Sequence, residues 1–379
     1  MDAPLKILIV DNRVIPLTLS VIRCLGTQKE LNFEIHVLAL NSKKISPIRF
    51  SRYVKSYYNI NATTDEEIFM TIISIAKEVE ADILVPVDEK VTRIIAERDS
   101  ECREIIQHTP IPQPHCLEKV RNKWLLYSWL FDMALINDEP IKYSDISKGK
   151  VDPKTFKYPF LIKPFWGSGG KGIVMIGDID QFKKFKPHST FGEEGYLICP
   201  YIDGYDIDLS ALVINGEIIS YTIQKSIAKK SELIYSKSVE FIENEVLLQQ
   251  AVSIFRALKY TGIAHLDFRF DIEKSKYILI DFNARYWSSL LASLSVGINF
   301  PLISCQIAMN QNYRKPNYSK RNYYMTNNIV ELLFSHISIK ESEFQFTIAD
   351  PLPIFIQFYL WSINYLINTF YWLTRRKNL

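Results

Sequence analysis

The chain has 379 residues, 47% of them apolar, with 45 basic and 42 acidic side chains and a formal net charge of +3. That length and composition suit two or three domains with a sizeable core, and the near balance of charge argues against a dedicated nucleic-acid surface. Five scattered cysteines without a CxxC or Cys/His pair argue against structural zinc and predict a reduced, cytoplasmic setting.

MDAPLKILIV lacks a charged leader and reads as a first strand. Strand and helix patterns then alternate through residue 110: a helix over Ile15–Gly26, a strand FEIHVLAL, the acid-led helix DEEIFMTIISIAKEVEA, and a strand DILVPVD. Such alternation predicts a parallel sheet with helices on its faces. The first strand-to-helix turn, VDNRVIP, holds no dinucleotide fingerprint. Three prolines between Thr109 and His115 mark a linker. Beyond it LEKVRNKWLLYSWLFDMAL reads as one helix with a buried face.

FLIKPFWGSGGKGIVMI, Phe160 to Ile176, places a glycine-rich tip between two strand-like runs. It is not a Walker A loop, because the GxxxxGK[ST] spacing is absent. Two readings stay open: an ordinary hairpin, or a flap whose bare amides approach an anion. Lys163, inside the apolar run, either snorkels to the surface or points into a cleft, and Lys123 offers the same choice. Next come strands through YIDGYDIDLSALVINGEIISYTI with an Asn215–Gly216 turn, a helix over Asn244–Tyr260, and the pair IAHLDFRFDIEKSKYILIDFNAR. A three-residue turn at Glu273–Ser275 would set Asp267 opposite Asp281 and His265 opposite Asn283. Side chains alternate along a strand, so Asp281, Asn283 and Arg285 share one face, and Asp267 joins them in this register. Opposed carboxylates repel, and a divalent cation between them reverses the sign. Two carboxylates with an amide oxygen suit Mg²⁺. The alternative is a solvated polar stripe. Asp206 and Asp208 alternate on their strand, and no Ser–His–Asp or Cys–His nucleophile signature is present.

Taken in order, these motifs resemble the ATP-grasp superfamily, in particular its carboxylate–amine ligases, over about residues 1–310. The carriers are LIKPFWGSGGKG, CPYIDGYDID, LDF and IDFNAR. The resemblance implies an α/β and α+β architecture: a Rossmann-like domain at 1–112, ATP-grasp subdomains at 113–194 and 195–310, and a C-terminal extension at 311–379 with an apolar helix. It implies that Lys123 and Lys163 hold ATP phosphates, that Ser168, Gly169 and Gly170 lie on the flap, and that Cys199, Tyr201 and Ile202 line the adenine edge. Asp206 would meet the ribose, Asp267, Asp281 and Asn283 would hold Mg²⁺, and Arg285 would reach the transferred phosphoryl group. The family usually carries glutamate at the positions of Asp281, Cys199 and Asp206. The implied reaction joins a small-molecule carboxylate to an amine through an acyl phosphate. A carboxylate–thiol ligase and a non-catalytic ATP-binding protein that docks at a membrane or partner are the alternatives. Among the polar runs, Lys225–Lys237 carries no readable substrate code.

The segment from Pro351 to Thr374 has 24 residues without a formal charge, followed by Arg375, Arg376 and Lys377. Three readings are open for residues 351–376: a helix in a membrane interface or on a protein partner, a helix packed on its own domain or in a homodimer, and a membrane span.

Overall fold

The computed structural model describes residues 3–28, 32–42, 45–167, 169–228, 238–313, 317–326 and 337–376, side chains of 364 and 366–376 apart. The chain forms two compact units, one of Met1–Pro110, Tyr286–Arg314 and Tyr324–Leu379, the other of Ile111–Arg285 and Lys315–Tyr323. The second unit is therefore inserted, in sequence, into the first.

The first unit is built on five parallel strands, β1 (Leu5–Asp11), β2 (Phe33–Leu40), β3 (Val54–Ile60), β4 (Ile83–Pro86) and β5 (Gln107–His108), in the order β3-β2-β1-β4-β5. Ile7, Leu8, Ile9 and Val10 are wholly buried, as an interior parallel strand demands. Helices Ile15–Gly26 and Asp65–Val79 lie where the apolar periodicity predicts them. The second starts at a capping box: Thr64 Oγ1 accepts from Glu67 N at 3.1 Å, and Glu67 Oε2 accepts from Thr64 N at 3.1 Å. At the carboxyl ends of β1 and β4 sit two buried carboxylates. Asp11 Oδ1 accepts from Val14 N at 2.9 Å, and Asp88 Oδ1 accepts from Lys90 N at 2.9 Å. Burial lifts Asp88 to about 6, and Asp11 adds to the rise.

Asp350 belongs to the same unit. Its Oδ2 accepts from Ser51 Oγ at 2.8 Å, its Oδ1 accepts from Arg52 N at 2.9 Å, and Arg23 Nη2 donates to its backbone carbonyl at 3.1 Å. From this fixed point the helix Leu352–Arg376 sets off, resting on the turn Pro47–Phe50.

The second unit holds two antiparallel sheets. The smaller contains β6 (Ile141–Lys142), β7 (Phe160–Pro164), β8 (Val174–Ile176) and β9 (Tyr196–Pro200), in the order β6-β9-β7-β8. The larger contains β10 (Gly204–Ile214), β11 (Glu217–Ala228), β12 (Ser238–Phe241), β13 (Gly262–Asp271), β14 (Lys276–Asn283) and β15 (Asn322–Tyr324), in the order β14-β13-β10-β11-β12-β15. The β10–β11 turn is Asn215–Gly216, both at positive φ (50° and 83°), the two-residue hairpin chemistry of Asn-Gly.

The helix expected as one piece across 117–135 is two, Pro114–Arg121 and Lys123–Asp132. Asn122 makes the break: its backbone is extended, and its Oδ1 accepts from Trp124 N at 2.9 Å and Leu125 N at 3.2 Å. Asparagine favours this capping role over a helix interior.

Candidate active site

The site lies within the second unit and starts from a register. The β13–β14 turn has four residues, Ile272–Ser275, with Ser275 at φ 52°, one residue longer than the sequence count assumes. Asp271 consequently faces Lys276, and Phe268 faces Leu279. A β-bulge at Ile280 then absorbs the shift, so that Asp267 does face Asp281 and His265 faces Asn283.

β10 continues this pattern across the sheet. Asp208 pairs with Asp267 on one side and Gln224 on the other, and Ser210 pairs with His265 and Thr222. Directly opposed residues share a face. One row therefore reads Gln224–Asp208–Asp267–Asp281, and the next Thr222–Ser210–His265–Asn283. Gly204 opens β10 with no side chain because an added Cβ would lie 1.7 Å from Phe270 O.

Three carboxylates, Asp208, Asp267 and Asp281, thus stand on three adjacent strands. Burial and the charge of Asp267 lift Asp208 to about 7, and Gln224 Nε2 donates to its Oδ2 at 3.2 Å. Burial also raises Asp281, against the pull of Lys123, with Asp267 adding to the rise. Burial works to lower the His265 imidazole, yet Asp267 and Asp208 hold it above its ordinary value. Its Nε2 lies 3.0 Å from Asp267 Oδ1 and its Nδ1 2.9 Å from Ser210 Oγ. Asn283 Nδ2 donates to Asp267 Oδ2 at 3.3 Å, and Arg285 Nη2 donates to Asn283 Oδ1 at 3.0 Å.

Lys123 ties this row to the glycine loop. Its ammonium lies 3.1 Å from Asp281 Oδ1 and donates to Gly167 O at 3.0 Å, while its backbone N–H donates to Phe165 O at 2.9 Å. Tyr127, one helical turn on, donates to Leu279 O at 2.9 Å and holds the helix to β14. Lys163 sits on β7 opposite Leu197 of β9, on the side that also carries Leu161 and Cys199. It is 5% exposed and has no hydrogen-bond or ion-pair partner among the described residues. Its charge nevertheless reaches Asp281 and Cys199, favouring their ionised forms. Burial outweighs that influence at Cys199 and pushes its thiol up, so the residue is neutral.

Gly167, Gly169, Gly170 and Gly172 all have positive φ, between 65° and 133°, which β-carbon-bearing residues resist. Gly169 and Gly170 lie in the turn at the tip, and Ser168 falls outside the described residues. Asp206 is ion-paired to Arg269 Nη1 at 2.8 Å. Arg269 Nε also donates to Ile202 O at 2.7 Å, and its guanidinium lies 5.9 Å from the centre of the Tyr201 ring. The segment Tyr201–Asp206 is thereby clamped to β13.

The oxygen set of Asp267, Asp281 and Asn283 stands on one face. That donor chemistry fits a divalent cation such as Mg²⁺. Asp208, His265 and Asp267 also offer ligand atoms within 4.8 Å of one another. Asp208, Ser210 and Gln224 were not assigned from sequence. Asp208 has one local signal, the alternation in YDIDL, and Ser210 and Gln224 have none, because the pairings of β10 with β11 and β13 are not written in any one segment.

Residues 132–315 match the family model described as carbamoyl-phosphate synthase L chain, ATP binding domain. A carbamoyl-phosphate synthase of Methanobrevibacter smithii is 24% identical over 169 residues, covering 42% of this chain and 45% of that protein. The chain thus spans about half the length of the curated relatives it matches. Among solved structures, the biotin carboxylase domain of Hydrogenobacter thermophilus 2-oxoglutarate carboxylase, in complex with MgADP, ADP and bicarbonate, superposes with a TM-score of 0.60 at 17% identity, covering 84% of this chain and 72% of that one. L-amino acid ligase from Bacillus licheniformis gives a TM-score of 0.60 at 18% identity, covering 82% and 75%. The matched segment, the shared fold and the motifs along β7, β10, β13 and β14 identify residues 132–315 as an ATP-grasp domain that resembles those of carboxylate–amine ligases.

Proposed function

We propose that the chain is an ATP- and Mg²⁺-dependent ligase joining a carboxylate to an amine through an acyl phosphate. The observation that carries this reading is Lys163: a buried ammonium without a partner among the described residues, whose charge reaches Asp281 and which lies on the strand leading into the glycine loop. An unpaired buried cation is costly, and an anionic ligand would offset that cost.

In this reading the substrate carboxylate attacks the γ-phosphorus of ATP. The β–γ anhydride bond breaks, ADP leaves, and the acyl phosphate forms. The amine then attacks the acyl carbon and phosphate departs. Lys163 and Lys123 neutralise the phosphates, and Arg285 reaches the transferred phosphoryl group. The amides of Gly169 and Gly170 cover it and exclude water, to which an acyl phosphate would be lost. Asp267, Asp281 and Asn283 would hold Mg²⁺, which supplies Lewis-acid neutralisation of phosphate charge. Cys199, Tyr201 and Ile202 would meet the adenine through backbone groups. The ATP-grasp lobes would be 113–194 and 195–310. The strand order of the leading sheet supports a Rossmann-like reading of residues 1–112, whose ligand position would be the switch point between β1 and β4.

Phosphate release from ATP that depends on a particular carboxylic acid is the test. Asp267→Asn and Asp281→Asn should each abolish it while the chain stays folded, and full activity in either variant sinks the metal assignment. A specific observation favours a second reading, a nucleotide-binding protein without turnover: Asp206 is held by Arg269, and Cys199 is a neutral thiol. Tight MgATP binding with no phosphate release across a broad panel of acids and amines would select it.

A further inference from the structure

We propose that the helix Leu352–Arg376 docks on an anionic lipid surface and lies along it. This inference is independent of the ligase reading. Leu352, Phe355, Phe358, Tyr359, Trp361 and Tyr365 are between 55% and 68% exposed. At the helical repeat they cover about half of the circumference, while Pro353 is buried on the opposite side. A terminal helix serving its own domain would turn such a face inward. Here the aromatic face is the outer one. The helix is also firmly rooted, since Asp350 at its base is wholly buried and held by Ser51, Arg52 and Arg23.

Charge selects the occupant. Residues 351–374 carry no formal charge, and Arg375, Arg376 and Lys377 follow at once. An apolar protein groove has no need of three cations at one end. A surface with apolar depth and anionic headgroups matches both parts: aromatic rings sit at headgroup level, and basic residues pair with the lipid charge. Among the described residues no helix is long and apolar enough to cross a membrane.

The test is co-sedimentation of the full chain with large unilamellar vesicles, of phosphatidylcholine alone or mixed three to one with phosphatidylglycerol. Binding to the mixed vesicles, weakened by added salt, is expected. The double substitution Phe358→Ser with Trp361→Ser should weaken it about tenfold or more. Arg375→Glu with Arg376→Glu should remove the preference for phosphatidylglycerol. Both pairs should leave the thermal unfolding midpoint unchanged, which reports that the chain remains folded. Failure to sediment with either composition overturns the proposal, as does binding indifferent to composition. A dimer in light scattering that the Phe358→Ser/Trp361→Ser pair dissolves overturns it in favour of a second copy of the chain.

Discussion

Lys123 does two things with one ammonium, compensating Asp281 and holding the carbonyl of Gly167. Removing it leaves a carboxylate short of its cation in a row that already repels itself. Lys123→Ala should cost about 2 kcal/mol in chemical denaturation, and Asp281→Asn in that background should recover a large part, a coupling that a double-mutant cycle reads directly. Lys163 behaves differently because it has no partner to orphan among the described residues. Lys163→Met should leave stability unchanged or raise it, while MgATP affinity falls roughly a hundredfold in a fluorescence titration. Equal stability losses for the two variants would contradict this division of roles. Both lysines were legible in the sequence as cations at the edges of apolar patterns. Their difference was not, because it depends on which carboxylate the fold brings within 4 Å.

At the scale of the element, the β13–β14 hairpin shows why a sequence count can reach the right pairing by a wrong route. The turn is one residue longer than its polar letters suggest, and Ile280 bulges to take up the difference. Nothing in the apolar run YILID announces a bulge. Asp281 and Asn283 share a face by alternation alone, and the bulge is what brings Asp267 and His265 opposite them. The helix break at Asn122 is similar: helical periodicity runs through it, and only the competition of its side chain for backbone N–H groups ends the first helix. The sheet ends of the first unit yield a pH prediction. Asp88 titrates at about 6 in the folded chain, above the ordinary value of 3.8, so the fold binds its proton more tightly than the unfolded chain does. Stability therefore falls as pH rises through that window, by about 3 kcal/mol at most, and Asp88→Asn should flatten this slope in thermal melts between pH 4 and pH 7. An unchanged slope would mean the Asp88 carboxyl ionises normally in the fold.

At the scale of the whole molecule, the segment order could be read only in part. The proline-rich stretch after Thr109 coincides with the passage from one unit to the other. The return of Tyr286–Arg314 and Tyr324–Leu379 to the first unit has no local marker, because it rests on pairings such as Arg23 with Asp350, 327 positions apart. That pair is almost wholly buried, with side chains 4% and 1% exposed. Asp350→Ala should lower stability by about 3 kcal/mol by stranding the guanidinium, and Arg23→Met should cost less. Thermal unfolding of the two variants decides it, and an equal or reversed ranking would refute the argument.

The same pairing constrains the order of events during synthesis. A ribosome delivers Arg23 long before Asp350, and between them emerges every strand of the second unit's sheets from β6 to β14. Those sheets can close while the leading segment still lacks its last partners. The leading unit, whose five parallel strands are all delivered early, is thus among the last parts to be finished, because the segments that return to it are made after the second unit.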